Sequence, residues 1–307
     1  MRAAVLSEFG SPDVLRIDEI EDPQAGPGEI RVQVKCAGVQ PFDAAIRTGW
    51  APPFLSLRPP VIPGNEFAGV VDQIGERVTG VEVGAEVLGF STLHAYAEYI
   101  VVPADQIVPK PKGMPWDVAG GFSGNGQGAH LALQAMGIGQ GDTVLIHAAA
   151  GALGAFAVQL ARLWGAAKVI GTAGTANHDY LRSLGAIPVV YGDGLVERVR
   201  AVAPEGVDAA LDGAGSEALH ASVRLVKDRT RIRTMVAMDE AKELGVPLLE
   251  PGRSANRLAS LVELYANGGL GVHLRAVYPL ADAAAAHRDI ERRHGRGKIV
   301  LSVEAAQ

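Results

Sequence analysis

A glycine turn between an apolar strand and an amphipathic helix carries the strongest chemical signal in the sequence. In HAAAGALGAFA, Gly151 and Gly154 follow the apolar run TVLI and precede a helical pattern. Small residues at such a turn let the backbone approach a pyrophosphate, and the helix start offers free N–H groups to the anion. Ala149 stands where a full G-x-G-x-x-G would begin, so the turn could also serve only to pack helix on strand. The strand and helix units that follow favour a dinucleotide site.

The end of the next predicted strand, VIGTAGTANHDY, indicates which dinucleotide this turn would hold. NAD-specific sites place an acidic residue there to bind the ribose hydroxyls. This strand end carries no acid, and Asp179 comes later, within the predicted helix. Thr172 and Thr175 could hydrogen-bond a 2′-phosphate, and His178 could add partial positive charge. The sequence therefore predicts NADPH rather than NADH as the cofactor.

Two folding patterns divide the chain and would position these residues. Up to about residue 115, apolar and polar residues alternate in strand-length segments, which predicts a β-rich region. From about Gly124, short apolar strands alternate with amphipathic helical stretches, which predicts a parallel sheet with helices on both faces. The later predicted strands include RIRTMVAM and GVPLLEP. A last strand, helix and strand, written VHLRAVYPL, ADAAAAHRDIERRH and KIVLSV, are expected to return to the first region.

Composition excludes several classes of function. The chain has 307 residues, enough for two domains, and its net charge of -6 with both signs scattered gives no basic face for nucleic acid. Its apolar runs fall short of the ~18 residues of a membrane span, and the N-terminus lacks the apolar core of a signal peptide. A single cysteine, Cys36, leaves no disulfide and no thiolate cluster. We therefore expect a cytoplasmic protein without nucleic-acid or membrane partners.

Several motifs along the chain form a recognisable series. They are GSPDVLRI, PGEIRVQVKCAGV, FDAAIRTG, PGNEFAGVVDQIG, AYAEYIVVP, AAAGALGAFAVQLARLWGA, VIGTAG, VDAALDGAG and the terminal GKIVL. Because these motifs occur in this order and at this spacing, the chain resembles the zinc-free quinone oxidoreductase branch of the medium-chain dehydrogenase/reductase superfamily over nearly its whole length.

The resemblance implies an α/β fold with two domains. It places a GroES-like β-rich catalytic domain over residues 1–123, a Rossmann-type doubly wound parallel sheet domain over residues 124–267, and a return to the catalytic domain over residues 268–307. Such enzymes bind NADPH in the cleft between the domains and transfer a hydride to a quinone or to the β-carbon of an α,β-unsaturated carbonyl. The implied cofactor contacts are Ala150, Gly151, Ala152, Leu153 and Gly154 at the pyrophosphate; Gly171, Thr172, His178 and Tyr191 at the ribose phosphate; and Gly213, Gly215, Met235 and Ala237 around the nicotinamide half.

Two positions decide whether the resemblance extends to zinc. Zinc-dependent relatives have a Cys after the third strand and a His in a G-H-E motif, and here these positions are Gln40 and Asn65. Amides are poor zinc ligands, so we expect an enzyme without a metal, in which the Gln40 amide polarises the oxygen of the acceptor. Its alternative role is only to cap a loop. Asn65 is a second catalytic candidate at this site.

Two further catalytic candidates lie in FSGNGQGAH, the segment that departs most from the family pattern. Asn125 and His130 could relay a proton or contact the substrate, or they could be ordinary packing residues. Gly128 replaces a threonine that usually contacts the cofactor. Asp43 and Arg47, four apart on a predicted helical turn, are weaker candidates for the cleft and are expected to pair with each other.

Three other functions stay open on the same fold. An enoyl-thioester reductase acting on carrier-bound substrates is the nearest alternative, although FDAAIRTGW contains no tyrosine to act as proton donor. The others are a protein that binds NADPH without turnover and a non-redox enzyme. By analogy with the family we expect a homodimer, formed by the apolar strand RIRTMVAM at a sheet edge.

Overall fold

Strands dominate the first part of the chain because apolar and polar residues alternate there. The computed structural model describes residues 1–292 and 295–303. In the strand Glu29–Val39, residues 29–36 are alternately half-buried and buried, and the last three are all buried. The elements of this part are β1 (Arg2–Leu6), β2 (Leu15–Glu19), β3 (Glu29–Val39), α1 (Pro41–Arg47), β4 (Glu66–Ile74), β5 (Glu86–Phe90), β6 (Tyr99–Pro103), β7 (Ile107–Pro109) and α2 (Trp116–Gly120). The predicted β-rich region is confirmed.

From Ser123 the chain alternates between helices and short strands. The elements are α3 (Ser123–Ala135), β8 (Thr143–Ile146), α4 (Ala152–Leu163), β9 (Lys168–Thr172), α5 (His178–Ser183), β10 (Ile187–Val189), α6 (Leu195–Val202), β11 (Ala209–Asp212), α7 (Ser216–Leu225), β12 (Ile232–Thr234), α8 (Met238–Glu243) and α9 (Ala255–Ala266). The strands pair in parallel in the order β10-β9-β8-β11-β12. The Rossmann fold has this order, with its switch point between β8 and β11. The predicted Rossmann-type parallel sheet is confirmed.

The last elements are β13 (Leu274–Pro279), α10 (Ala283–Glu291) and β14 (Lys298–Ser302). The two strands extend the sheet of the first part, where β14 pairs with β3 in antiparallel and with β13 in parallel. By its contacts the chain divides into two units. One contains residues 1–124, residues 254–262 and the chain from residue 273 onward; the other contains residues 125–253 and 263–272. Each unit has its own apolar core, with Ile30 and Phe67 fully buried in the first and Leu145 and Ile170 in the second.

β3 is the central strand of the antiparallel sheet. Its first residues pair with β6, and at its carboxyl end its antiparallel neighbours are β4, where Ala37 faces Phe67, and β14, where Val39 faces Ile299. This register brings the residues that follow β3 beside the first residues of both neighbours. A site can therefore be built there from segments that are far apart in the sequence.

Two predicted strands differ from the structure. GVPLLEP forms no strand, because Pro247 and Pro251 lack the N–H groups that a strand ladder needs. RIRTMVAM forms a strand only over β12, because the Thr234 hydroxyl accepts the N–H groups of Val236 and Ala237 and turns the chain. β12 does lie at the sheet edge; the dimer across it stays a prediction. No helix in residues 1–292 and 295–303 has the length and apolar character to cross a membrane.

Candidate active site

The turn after β8 forms the candidate pyrophosphate site. Ala148 reverses the chain with a φ of 52°, a left-handed conformation that is rare for residues other than glycine. Its carbonyl accepts the N–H of Gly151 at 3.0 Å, Ala150 between them is buried, and α4 begins at Ala152. The first N–H groups of a helix have no acceptor within the helix, and among the described residues no side chain caps this one. The turn therefore presents hydrogen-bond donors and the positive end of the helix dipole to an anion.

The glycines of this turn serve two different purposes. A Cβ on Gly154 would overlap the Ala148 carbonyl oxygen, and one on Gly171 would lie 2.8 Å from the Ala149 Cβ. Both glycines are therefore needed for the helix and the second strand to pack. Gly151 differs, because a Cβ there would meet only the Ala148 oxygen, at 3.3 Å, and its φ of -70° suits any residue. Packing therefore constrains Gly151 less than Gly154, which favours a ligand that approaches the backbone at this point.

The hydroxyl of Thr172 faces the fold rather than a ligand. Thr172 is 1% exposed, and its hydroxyl accepts the Ala148 N–H at 3.3 Å and lies 3.3 Å from His147 Nδ1. These contacts tie the end of β9 to the turn after β8. Binding of the ribose phosphate by Thr172 stays a prediction, which these contacts do not favour; they hold the turn in place.

Three other predicted phosphate residues lie at or near the surface. Thr175 is exposed, and His178 is half-buried at the start of α5. The ring of Tyr191 is 53% exposed, and its hydroxyl lies over Gly174, 3.9 Å from where a side-chain carbon would be. The structure thus brings Tyr191 together with the loop that precedes Thr175 and His178.

Asp212 shapes both loops that the resemblance places beside the nicotinamide. It is fully buried at the end of β11, and one carboxylate oxygen accepts the N–H groups of Ala214 and Gly215 at 2.8 and 2.9 Å. The other oxygen accepts the Thr234 hydroxyl at 2.7 Å, and that hydroxyl accepts the Ala237 N–H at 3.0 Å. Burial raises the pKa of Asp212, and the donated hydrogen bonds oppose the rise. The sequence analysis missed Asp212, whose only signal is its place between a strand and two glycines.

These loops converge with the turn after β8 at one edge of the parallel sheet. A Cβ on Gly213 would lie 3.5 Å from the His147 carbonyl oxygen and 3.9 Å from the Leu153 side chain. A Cβ on Gly128 would lie 3.3 Å from Leu153 and 3.6 Å from Met235. The carboxyl edge at the switch point, where α/β sheets bind their ligands, therefore gathers most of the predicted cofactor residues.

Four polar side chains meet in the first unit where β3 ends and β4 and β14 begin. Gln40 Nε2 donates to Asn65 Oδ1 at 3.0 Å and to Glu66 Oε1 at 2.8 Å. Lys298 Nζ lies 2.5 Å from Glu66 Oε1 and donates to the Val39 carbonyl at 3.0 Å. None of the four is more than 9% exposed. A buried carboxylate of this kind is tolerated because a cation and hydrogen-bond donors surround it.

Both hydrogens of the Gln40 amide are donated inside this cluster. Its predicted role, donation to the acceptor's oxygen, therefore requires one of the two bonds to exchange. Glu66 fixes the orientation of the amide, because a carboxylate accepts hydrogen bonds and does not donate them. Lys298 belongs to GKIVL, which supported the resemblance, but the sequence analysis gave it no role. Only the pairing of β14 with β3 shows that it meets Glu66.

The same cluster decides whether the chain fits a zinc ion. The side chains at the two metal-ligand positions of zinc-dependent relatives, Gln40 and Asn65, are bonded to each other instead of converging on a cation. The Lys298 ammonium lies against the neighbouring carboxylate of Glu66. Residues 1–292 and 295–303 contain no group of three His, Cys, Asp or Glu side chains that could hold a metal. This set of donors does not fit zinc.

A buried hydrogen-bonded chain extends from this cluster. Asp43 accepts the Gln40 backbone N–H at 2.8 Å, the Tyr96 hydroxyl at 3.1 Å and the Asn65 side-chain amide at 3.4 Å. The Tyr96 hydroxyl lies 3.3 Å from His287 Nε2. Burial raises the pKa of Asp43 to about 7 and lowers that of His287 to about 3. Asp43 thus accepts hydrogen bonds from both candidate residues: from the backbone N–H of Gln40 and from the side-chain amide of Asn65.

Asp43 and Arg47 do not pair with each other, so that prediction was wrong. Arg47 donates to the Gly10 carbonyl at 2.8 Å and forms an ion pair with Glu291 of α10. The two side chains leave α1 toward different neighbours, because β14 returns and packs α10 beside α1. The groups that donate hydrogen bonds to the Asp43 carboxylate are consequently uncharged.

The structure does not bring His130 to the glycine turn. Its ring packs edge-to-face on Trp164, with centroids 4.9 Å apart, and Trp164 ends α4. Since α4 has 12 residues, this contact lies about 18 Å from the turn at Gly151. Asn125 is buried in the first turn of α3. Proton transfer or substrate contact by either residue stays a prediction, and the position of His130 favours a packing role.

Two protein-family models match the chain. The model described as "Alcohol dehydrogenase GroES-like domain" matches residues 26–112, and the model described as "Zinc-binding dehydrogenase" matches residues 184–301. The first match confirms the predicted GroES-like character of the β-rich part. The name of the second implies a zinc site that the Gln40 and Asn65 amides do not fit.

Known proteins are similar over almost the whole chain. The 2-haloacrylate reductase of a Burkholderia species is 32% identical over 99% of both chains. The synaptic vesicle membrane protein VAT-1 homolog of Danio rerio is 28% identical over 99% of this chain and 70% of its own. The solved structure of Escherichia coli quinone oxidoreductase complexed with NADPH is 26% identical, with a TM-score of 0.86 over 98% of this chain and 100% of that one. The chain belongs to the medium-chain dehydrogenase/reductase superfamily.

Proposed function

We propose that the chain is an NADPH-dependent, zinc-independent reductase that transfers a hydride to a quinone or an α,β-unsaturated carbonyl. The observation that carries the proposal is the turn at Gly151, which packing constrains less than Gly154 and which opens onto the uncapped start of α4. The NADPH bound to the E. coli quinone oxidoreductase supports the choice of cofactor.

When bound, the cofactor would supply the hydride, and the chain would supply its binding groups. The first N–H groups of α4, at Ala152, Leu153 and Gly154, would bind the pyrophosphate. Thr175, His178 and Tyr191 would surround the 2′-phosphate. The loops that Asp212 holds, at Gly213, Gly215, Met235 and Ala237, would frame the nicotinamide half. A loop held by a buried carboxylate needs little reorganisation when the ligand binds.

On the acceptor side, we propose that Gln40 and Asn65 bind the oxygen on which negative charge develops. The bond between the two amides, 3.0 Å long, is the one to exchange, because the 2.8 Å bond from Gln40 to the Glu66 carboxylate, which pairs with Lys298, is the stronger of its two. Preorganised donors of this kind stabilise developing charge without the help of a metal ion.

Two observations support this acceptor class. The cluster at Gln40 offers amides and an ammonium group rather than zinc ligands, so the oxygen must be stabilised by hydrogen bonds. The Burkholderia relative is named for the reduction of 2-haloacrylate, a molecule whose double bond is conjugated to a carboxylate. An acceptor with a conjugated carbon–carbon double bond therefore fits both the site and this relative.

The experiment is steady-state oxidation of NADPH by the purified protein with a panel of quinones and a panel of enones. We expect loss of the reduced-nicotinamide absorbance with at least one acceptor, and slower loss with NADH. NADPH binding without oxidation by any acceptor would refute the reductase and favour the protein that only binds NADPH. Failure to bind either dinucleotide would refute the cofactor assignment as well.

A further inference from the structure

Gln40 and Gly124 occupy one continuous space in the first unit. Gly124 is the second residue of α3, in the unusual segment FSGNGQGAH. A Cβ on Gly124 would overlap Gln40 Nε2 and lie 2.9 Å from its Cδ and 3.2 Å from its Oε1. The amide of Gln40 therefore fills the place where any other residue at position 124 would put its side chain.

Both residues also hold the same carboxylate. Gln40 Nε2 donates to Glu66 Oε1 at 2.8 Å, and the Gly124 N–H donates to Glu66 Oε2 at 2.6 Å. The N–H of Gly124 is free to do so because a first-turn N–H has no acceptor within its helix. Glu66 is fully buried, and it packs so closely against Gly38 that a Cβ there would overlap its Oε1. The carboxylate cannot move to follow a displaced Gln40.

We infer that Gly124 is a positioning residue of the proposed reductase: it leaves the room in which the Gln40 amide reaches Glu66, and so sets where that amide meets the acceptor. The effect of Gly124 on catalysis rests on the proposed function; its effect on the position of Gln40 does not. This role gives the glycine at position 124 a reason that lies in the candidate active site. The glutamine at position 40 and the glycine at position 124 are then one unit, and neither is free to change alone.

The backbone gives no other reason for a glycine at this position. Gly124 lies within a helix and has no positive φ, so alanine suits its conformation. The atoms that an alanine would meet belong to the end of the flexible Gln40 side chain rather than to backbone. Gly124→Ala should therefore keep the fold and displace the Gln40 amide. Asparagine at position 40 is one methylene shorter and would leave room for the added methyl group.

The test is a cycle of four proteins: wild type, Gly124→Ala, Gln40→Asn and the double variant. We measure kcat/KM for the best acceptor and the NADPH dissociation constant for each. We expect Gly124→Ala to lower kcat/KM by about 100-fold with the dissociation constant unchanged, because a small misplacement of a reacting group costs about this much. Adding Gln40→Asn to Gly124→Ala should restore most of the loss. The inference is overturned if Gly124→Ala leaves kcat/KM unchanged, or if the two losses multiply in the double variant.

The melting temperatures of the same four proteins keep this test separate from the proposed function. If no acceptor is reduced by the wild type, the proposed function fails, and the coupling is still decided by stability. We expect the double variant to be more stable than the sum of the single effects predicts, because the overlap exists only when both the alanine and the glutamine are present. Additive effects on the melting temperature would overturn the inference.

Discussion

The Asp43 carboxylate makes the stability of the protein depend on pH in a direction opposite to that of an ordinary paired aspartate. Asp43 is fully buried, and its partners at Gln40 and Tyr96 are uncharged. Burial raises its pKa from 3.8 to about 7, although the charge of Lys298 and the donated hydrogen bonds oppose the rise. Glu66 lies near enough to add to the rise.

The sign follows from the raised pKa. A carboxyl whose pKa is higher in the folded state contributes stability that is fully present below pH 3.8 and is lost as the pH rises through about 7. A rise from 3.8 to about 7 corresponds to about 4 kcal/mol of unfolding free energy. Asp43→Asn removes the titration and keeps a side chain of the same shape.

The assay is urea unfolding of the wild type and Asp43→Asn over this pH range. We expect the unfolding free energy of the wild type to fall relative to that of the variant, by up to about 4 kcal/mol between pH 4 and pH 7. Asp105→Asn, which changes an exposed carboxylate of the same unit, is the matched control and should follow the wild type. A difference between wild type and Asp43→Asn that does not change with pH would refute the reasoning.

Five more substitutions test the glycine turn, the Lys298–Glu66 pair and the loops at Asp212. Gly151→Ala should raise the NADPH dissociation constant at least about tenfold and lower the melting temperature much less than Gly154→Ala; fluorescence titration and thermal melts decide. Lys298→Met leaves the Glu66 carboxylate buried without its cation and should cost about 3–5 kcal/mol in urea unfolding, part of which Glu66→Gln should restore. Asp212→Ala leaves two loop N–H groups without their acceptor and should cost about 2 kcal/mol or more in the same assay, with weaker NADPH binding.

The glycine turn and the parallel sheet could be predicted from the sequence because their signals are local. Gly151 and Gly154 lie between an apolar strand and an amphipathic helix, and the alternation of strands and helices continues behind them. The sequence could not separate the roles of the two glycines. That distinction depends on which backbone atoms of the preceding turn lie beside each one, and only the folded chain shows them.

The polar cluster of the first unit could be predicted only in part, because sheet pairing assembles it. The two amides were expected at one site, yet Lys298 joins them only because β14 pairs with β3 after more than two hundred intervening residues. The burial of Thr172 was equally invisible, since the sequence does not reveal which face of a strand end its hydroxyl takes. Asp43 and Arg47 have a spacing that favours pairing, but tertiary contacts gave each a different partner.

Hydride transfer is the central claim, and isotope transfer tests it most directly. NADPH deuterated at the transferring position is incubated with the protein and an enone, and the product is analysed by mass spectrometry and NMR. We predict one deuterium in each product molecule, at the carbon β to the carbonyl, and less product when Gly151→Ala replaces the wild type at low cofactor concentration. A reduced product without deuterium, or no reduced product from any acceptor while NADPH is bound, would contradict it.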